Sequence, residues 1–207
     1  FGGIYFTLVA PMILARTANN EIIFGATQTA GAIGGIVGGL LMSAWGGFKV
    51  RVHGVLLGWA FGGLFGMLVV GLGQDVWWWA GGLFLQALVS PLINGSNQAI
   101  WQAKVAPDVQ GRVFSARRLI AWFTNPITPL IAGPLADFVF EPAMRNTQSG
   151  MAQSFGWLVG VGPGAGMALI LIATAIGATL VGLAGYLFTP IREAETLLPD
   201  HDALPVR

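Results

Sequence analysis

Six apolar stretches, each near bilayer-crossing length and each closed by charged or turn-forming residues, constrain this chain more than any other feature of its sequence. About 20 consecutive apolar residues wound as a helix cross about 30 Å of hydrocarbon, and a helix leaves no backbone N–H or C=O unpaired in lipid. The first stretch, Gly2 to Ala15, ends before Arg16-Thr-Ala-Asn-Asn-Glu21. The second covers Ile22 to Trp45, and the third covers Gly54 to Gly73 and stops at Gln74-Asp75. The fourth runs from Trp77 to Trp101 and the fifth from Arg118 to Phe138. After a longer Gly/Pro/polar link the sixth spans Gly166 to Phe188. The expected fold is an all-α integral membrane bundle of six transmembrane helices over residues 1–188, with a polar, acidic and poorly ordered tail over 189–207. Because the first stretch is too short for a full crossing, its helix is expected to be truncated, with a segment missing ahead of it.

Composition supports this and excludes several functions. Only 9% of residues are charged and 55% are hydrophobic, with a mean hydropathy of +0.71, where an ordinary soluble domain carries about 25% charge. Ten basic and nine acidic residues leave a net charge of +1, too little to draw in nucleic acid by its overall field. Cysteine is absent and histidine occurs twice, at His53 and His201. That rules out disulfides and thiolate metal sites and argues against any protein-held metal or cofactor.

The distribution of Lys and Arg says more than their sum. Lys49 and Arg51 follow the second stretch, Lys104, Arg112, Arg117 and Arg118 surround the end of the fourth, and Arg192 and Arg207 follow the sixth. Only Arg16 and Arg145 fall on the other side, a division of eight to two that alternates correctly across successive loops. By the positive-inside rule the basic end, with the C-terminus, belongs in the cytoplasm of a multi-pass cell-membrane protein.

Glycines recur inside the stretches. Gly31, Gly35 and Gly39, with Gly34 and Gly38, lie in the second, and Gly54, Gly58, Gly62 and Gly66 lie in the third. Spacing of four puts a set on one helix face, where backbones approach closely; a glycine-lined permeation path is the other use of such a face. No strand pattern precedes any of them, so a nucleotide-binding loop is excluded.

Polar side chains at depth mark where chemistry belongs. Gln86, Ser90, Asn94 and Asn97, spaced 4, 4 and 3, fall within about 80° of one another on the fourth helix. Lipid cannot satisfy them, so they either hydrogen-bond neighbouring helices or line a substrate cavity. Pro91 lies within this stripe. In the fifth stretch, Thr124-Asn125-Pro126-Ile127-Thr128-Pro129 predicts a kink or break, with Asn125 and Thr128 as further cavity candidates. Asp137 is the one carboxylate within an expected span. It is either a helix-end group at the headgroup layer or a candidate for ion coupling. Paired catalytic carboxylates, a Ser–His arrangement and an HExxH motif are all absent, so an enzyme is not expected.

Two basic segments carry a resemblance. Trp45-Gly-Gly-Phe-Lys-Val-Arg-Val-His53 is similar to a reduced form of the Gly-rich basic loop of major facilitator transporters, without the acidic residue of the full motif. Lys104-Val-Ala-Pro-Asp-Val-Gln-Gly-Arg-Val-Phe-Ser115 resembles the loop between helices ten and eleven of their drug-efflux branch, which includes macrolide and enterobactin exporters. Asn94-Gly-Ser-Asn-Gln-Ala-Ile-Trp101 and Ala132-Gly-Pro-Leu-Ala-Asp137 fit the same branch. The resemblance covers nearly the whole chain, as helices seven to twelve, the carboxy-terminal half of a 12-helix fold. It implies a missing amino-terminal six-helix partner and alternating-access export of a small amphipathic molecule, with proton coupling. It also implies a cavity-lining role for the first and fourth helices, and rim latches at Gly46, Gly47, Lys49, Arg51, Asp108, Gly111 and Arg112. Without the resemblance, the same basic residues read as positive-inside anchors, and Gly46 and Gly47 as a tight turn. The rival to a transporter is a non-transporting membrane anchor or structural module.

Overall fold

In the computed structural model, which describes residues 1–124, 126–197 and 200–201, the chain is helical and no strand occurs among the described residues. Helix α1 is Gly2–Arg16, α2 is Glu21–Trp45, and α3 runs over Arg51–Leu72 with a π-helical stretch at Gly62–Met67. Helix α4 is Val76–Lys104 and α5 is Pro107–Thr124. Helix α6 starts as Ile127–Leu135, widens into π-helix over Ala136–Phe140 and ends as Glu141–Arg145. Then come α7 (Gly150–Val159), α8 (Ala165–Ala184), α9 (Thr189–Arg192) and α10 (Ala194–Leu197).

Among the described residues, five helical spans are long and apolar enough to cross a membrane: Glu21–Trp45, Arg51–Leu72, Val76–Lys104, Pro107–Arg145 and Ala165–Ala184. The chain therefore has the make-up of a multi-pass membrane protein. Of the six expected helices, five reach that length among the described residues, and α1, with 15 residues, is shorter. Two boundaries also differ. The segment read as a loop before Arg118 is helical from Pro107, because Pro suits the first turn of a helix and Asp108 favours that turn's positive end. The link before the sixth stretch contains α7, started by Ser149, whose Oγ accepts from the Ala152 N–H. Helix α5 is described to Thr124 and α6 from Ile127, and Asn125, within the expected break, lies outside the described residues.

Several helix starts follow local rules. The Asn20 carboxamide accepts from the N–H groups of Ile22 and Ile23, both at 3.1 Å, and the Asp75 carboxylate accepts from Trp77 and Trp78. Both satisfy N–H groups that have no intrahelical partner. The tryptophan cluster is divided: Trp77 and Trp78 face outward, while Trp79 is buried and donates its indole N–H to the Gly73 carbonyl at 3.0 Å.

Helix α8 is the axis of the molecule. Ala168, Leu171 and Ala175 are fully buried, and α1, α3 and α6 pack around the helix. Tyr5, Met12 and Ile13 of α1, Met67 and Val70 of α3, and Met144 of α6 complete this core. On the far side α4 joins α3 to α2. Close helix approach explains the glycines. A Cβ at Gly54, Gly58, Gly62 or Gly66 would run into Ser96, Ile93 or Gln86 of α4, so that expected face is present. On α2 the packed face is Gly31, Gly34 and Gly38 against Leu83, Phe84 and Leu88. Gly35 and Gly39 meet nothing within 4 Å, which corrects the grouping of Gly31 with them. Helix α5 lies outside this core and is tied to α4 by the Arg117–Asn97 hydrogen bond and by Arg117 over the Trp101 ring. Leu119, Ile120, Trp122 and Phe123 on it are exposed.

Candidate functional site

The four polar residues of α4 lie along the edge between its α3-facing side and its open side. Gln86 turns inward, and its Oε1 is buried against Gly62 and Gly66, the glycines of the π-helical stretch, with no hydrogen-bond partner. Ser90 is half-buried, and its carbonyl accepts from the side chain of Asn94, which is exposed. Asn97 is half-buried, and its Oδ1 accepts from Arg117 Nη2 at 3.0 Å. Thus the stripe divides: one member packs helix on helix, two lie at or near the open side, and the last holds α5. Thr128 sits elsewhere, against α1, where a Cβ on Gly3 would lie 2.8 Å from its Oγ1. Asn125 lies outside the described residues.

At the basic end, Gly46 closes α2 in the left-handed conformation, and Gly47 repeats it, with φ of 79° and 81°. A side chain is strained at such angles, which is why two glycines make this turn. Lys49 is exposed, and Arg51 reaches from the first turn of α3 to the Ala99 carbonyl of α4 at 3.2 Å. Asp108, Gly111 and Arg112 occupy the exposed side of the first turns of α5, and the Asp108 and Arg112 side chains take no partner among the described residues. Between α4 and α5 a groove of about 270 Å³ is lined by Gln98, Phe114, Arg117, Arg118, Ala121 and Trp122. Arg117 also lies over the Trp101 ring, 5.0 Å from its centroid.

The tail, expected to be poorly ordered, folds back onto this end as far as it is described. Glu195 Oε1 accepts from the Val52 N–H in the first turn of α3 at 2.7 Å, a carboxylate on a helix N-terminus. Lys104 donates to the Glu195 carbonyl and pairs with Asp200 at 2.8 Å. His53 stacks on Tyr186 just beyond α8, with Nδ1 and Oη 3.1 Å apart. Lys104 holds the Asp200 carboxyl below the usual aspartate range, chiefly through that hydrogen bond.

The opposite end carries a residue that sequence reasoning missed. Glu141 is 5% exposed, and its two oxygens accept from the N–H groups of Gly164 and Met167 at the start of α8, each at 3.0 Å. Helix α8 brings no capping side chain of its own, since Gly164 stands at the capping position with φ +80°. Its first N–H groups need an acceptor from elsewhere. The run Gly160-Val-Gly-Pro-Gly164 was the signal in the sequence that such an acceptor had to exist. Gly166 lets the Phe140–Glu141 backbone come close enough to supply it, for a Cβ there would collide with that backbone. Arg145 pairs with the same carboxylate at 3.5 Å, and Arg16 is near enough for its charge to act on it. Arg16 itself donates to the carbonyls of Gly73 and Val159. Asp137, one π-helical turn before Glu141, is exposed at the edge of this cluster.

No group of three or more His, Cys, Asp or Glu side chains that would hold a metal occurs among the described residues. No protein-family model, no curated protein and no solved structure matches the chain.

Proposed function

We propose that this chain is one helical bundle of a secondary active transporter of the major facilitator type. In this reading it works with a second bundle by alternating access and exports a small amphipathic compound by proton coupling. The observation that carries the proposal is the uncovered polar edge of α4. Asn94 and Gln98 are exposed, and Ser90 and Asn97 half-exposed, on a 29-residue membrane-length helix. Such groups are costly against lipid and are tolerated where a partner bundle and water complete a cavity. Two further features support it. The π-helical stretches in α3 and α6 are the kinds of interruption found where membrane helices bend or bind. The basic segments around Gly46–Arg51 and Lys104–Arg112 carry the resemblance that names the transporter type.

The chain has no cysteine, so single-cysteine variants from Gln86 to Asn97 can be read without a background. In the membrane-embedded protein, a polar thiol reagent should label positions 90, 94 and 97, leave 89, 93 and 96 unmodified, and be blocked by substrate. Uniform protection across the segment would sink the cavity. A non-transporting structural module is favoured by one observation: Gln86 and Asn97 are each engaged with a neighbouring helix. It predicts that same uniform protection.

A further inference from the structure

The groove between α4 and α5 has a composition that transport does not require. Arg118 is exposed, and its guanidinium has no hydrogen-bond or ion-pair partner among the described residues. Arg117, beside it, is held in place by Asn97 and Trp101. Phe114 lies one turn before Arg118 on the same face and Trp122 one turn after, about 6 Å along the axis in each direction. Around and just after Arg118 the helix surface is apolar, with Leu119, Ile120, Trp122 and Phe123 all exposed. Two guanidiniums at the basic end of a membrane helix, followed by a bare apolar face, match a molecule with an anionic head and hydrocarbon tails. Guanidiniums bind phosphate oxygens in a bidentate manner, and basic pockets between membrane helices hold lipid head groups.

We infer that this groove binds the phosphate of an anionic phospholipid, with Arg118 as the principal ligand, Arg117 as the second and Trp122 packed on the upper acyl chain. The lipid is favoured over a free anion because the apolar surface is continuous with the arginines. A soluble phosphate has no use for Trp122 or Phe123. The site does not depend on the transporter reading.

The test is tryptophan quenching of the purified chain in micelles doped with brominated phosphatidylglycerol or brominated phosphatidylcholine at equal mole fraction. Phosphatidylglycerol should quench more strongly, with an apparent affinity about fivefold higher for each arginine engaged. R118Q should remove most of that excess and R118K should keep it. Arg118 has no partner to lose, so R118Q should retain its helical circular dichroism and remain interpretable. W122F should lower the excess quenching while leaving binding intact. Equal quenching by the two lipids, or an excess that survives R118Q, overturns the site. Glycerol 3-phosphate provides the other arm. Failure to displace the brominated lipid supports a lipid site, and displacement at millimolar concentration shows a free-phosphate site and overturns the lipid assignment.

Discussion

Replacing Glu141 by alanine is the sharpest test of how this bundle is held together. Its carboxylate receives two N–H bonds from the start of α8 and is almost wholly buried. Hydrogen bonds to a charged group contribute about 1.5–3 kcal/mol each, and a carboxylate at a partly buried helix N-terminus adds up to about 2 kcal/mol. These terms overlap, so Glu141→Ala should cost about 3–5 kcal/mol, the range found when one partner of a buried charged pair is removed. Glu141→Gln keeps one acceptor but turns an NH₂ group toward the other N–H, and should cost about 1.5–3 kcal/mol. Arg145 is the control. Its side chain is 59% exposed and its pairing distance is 3.5 Å, so Arg145→Ala should cost less than about 1 kcal/mol. SDS-induced unfolding in mixed micelles, followed by tryptophan fluorescence, measures all three. If Glu141→Ala and Arg145→Ala prove equally costly, the ion pair and not the helix N-terminus is what matters, and the argument fails.

Other expectations follow from the same geometry. Gly34→Leu and Gly38→Leu should separate α2 from α4 and lower stability by about 2 kcal/mol or more, through the overpacking mechanism. Gly35→Leu and Gly39→Leu, facing open space, should be near neutral in the same unfolding assay. The Asp200 carboxyl should titrate below about 3.9, the ordinary aspartate value, by carbon NMR. Since folding lowers this pKa, the Lys104–Asp200 tie is fully present above the ordinary value and is lost as pH falls through the lowered one. Lys104→Gln should return the midpoint to the ordinary range, and a midpoint unmoved by that change would refute the assignment. If the transporter reading holds, Asp137→Asn should leave pH-dependent efflux largely intact, because Asp137 is exposed on α6. Abolished pH dependence would instead make it the coupling group.

Much of the architecture was open to inspection before any coordinate. The runs from Ile22 to Trp45 and from Trp77 to Trp101 became α2 and α4 with shifts of at most three residues at their ends. The caps Asn20 and Asp75 stand where polar punctuation interrupts hydropathy. Hydropathy and capping depend on the solvent and on near neighbours along the chain, so one dimension is enough to read them. What the tertiary structure decided is everything that depends on which helix lies next to which. Gly34 and Gly38 pack while Gly35 and Gly39 do not, although all four have equal standing in the sequence, because α4 approaches from only one side. Gln86 turns into α3 and Asn94 away from it, a difference of one helical face set by where α3 lies. Glu141 reads as an ordinary surface charge until α6 is folded against α8. Its two partners, 23 and 26 residues away in sequence, are backbone N–H groups that any residue would present. Composition sets the solvent in which a helix is stable; only packing assigns its faces and supplies the acceptor for an uncapped end.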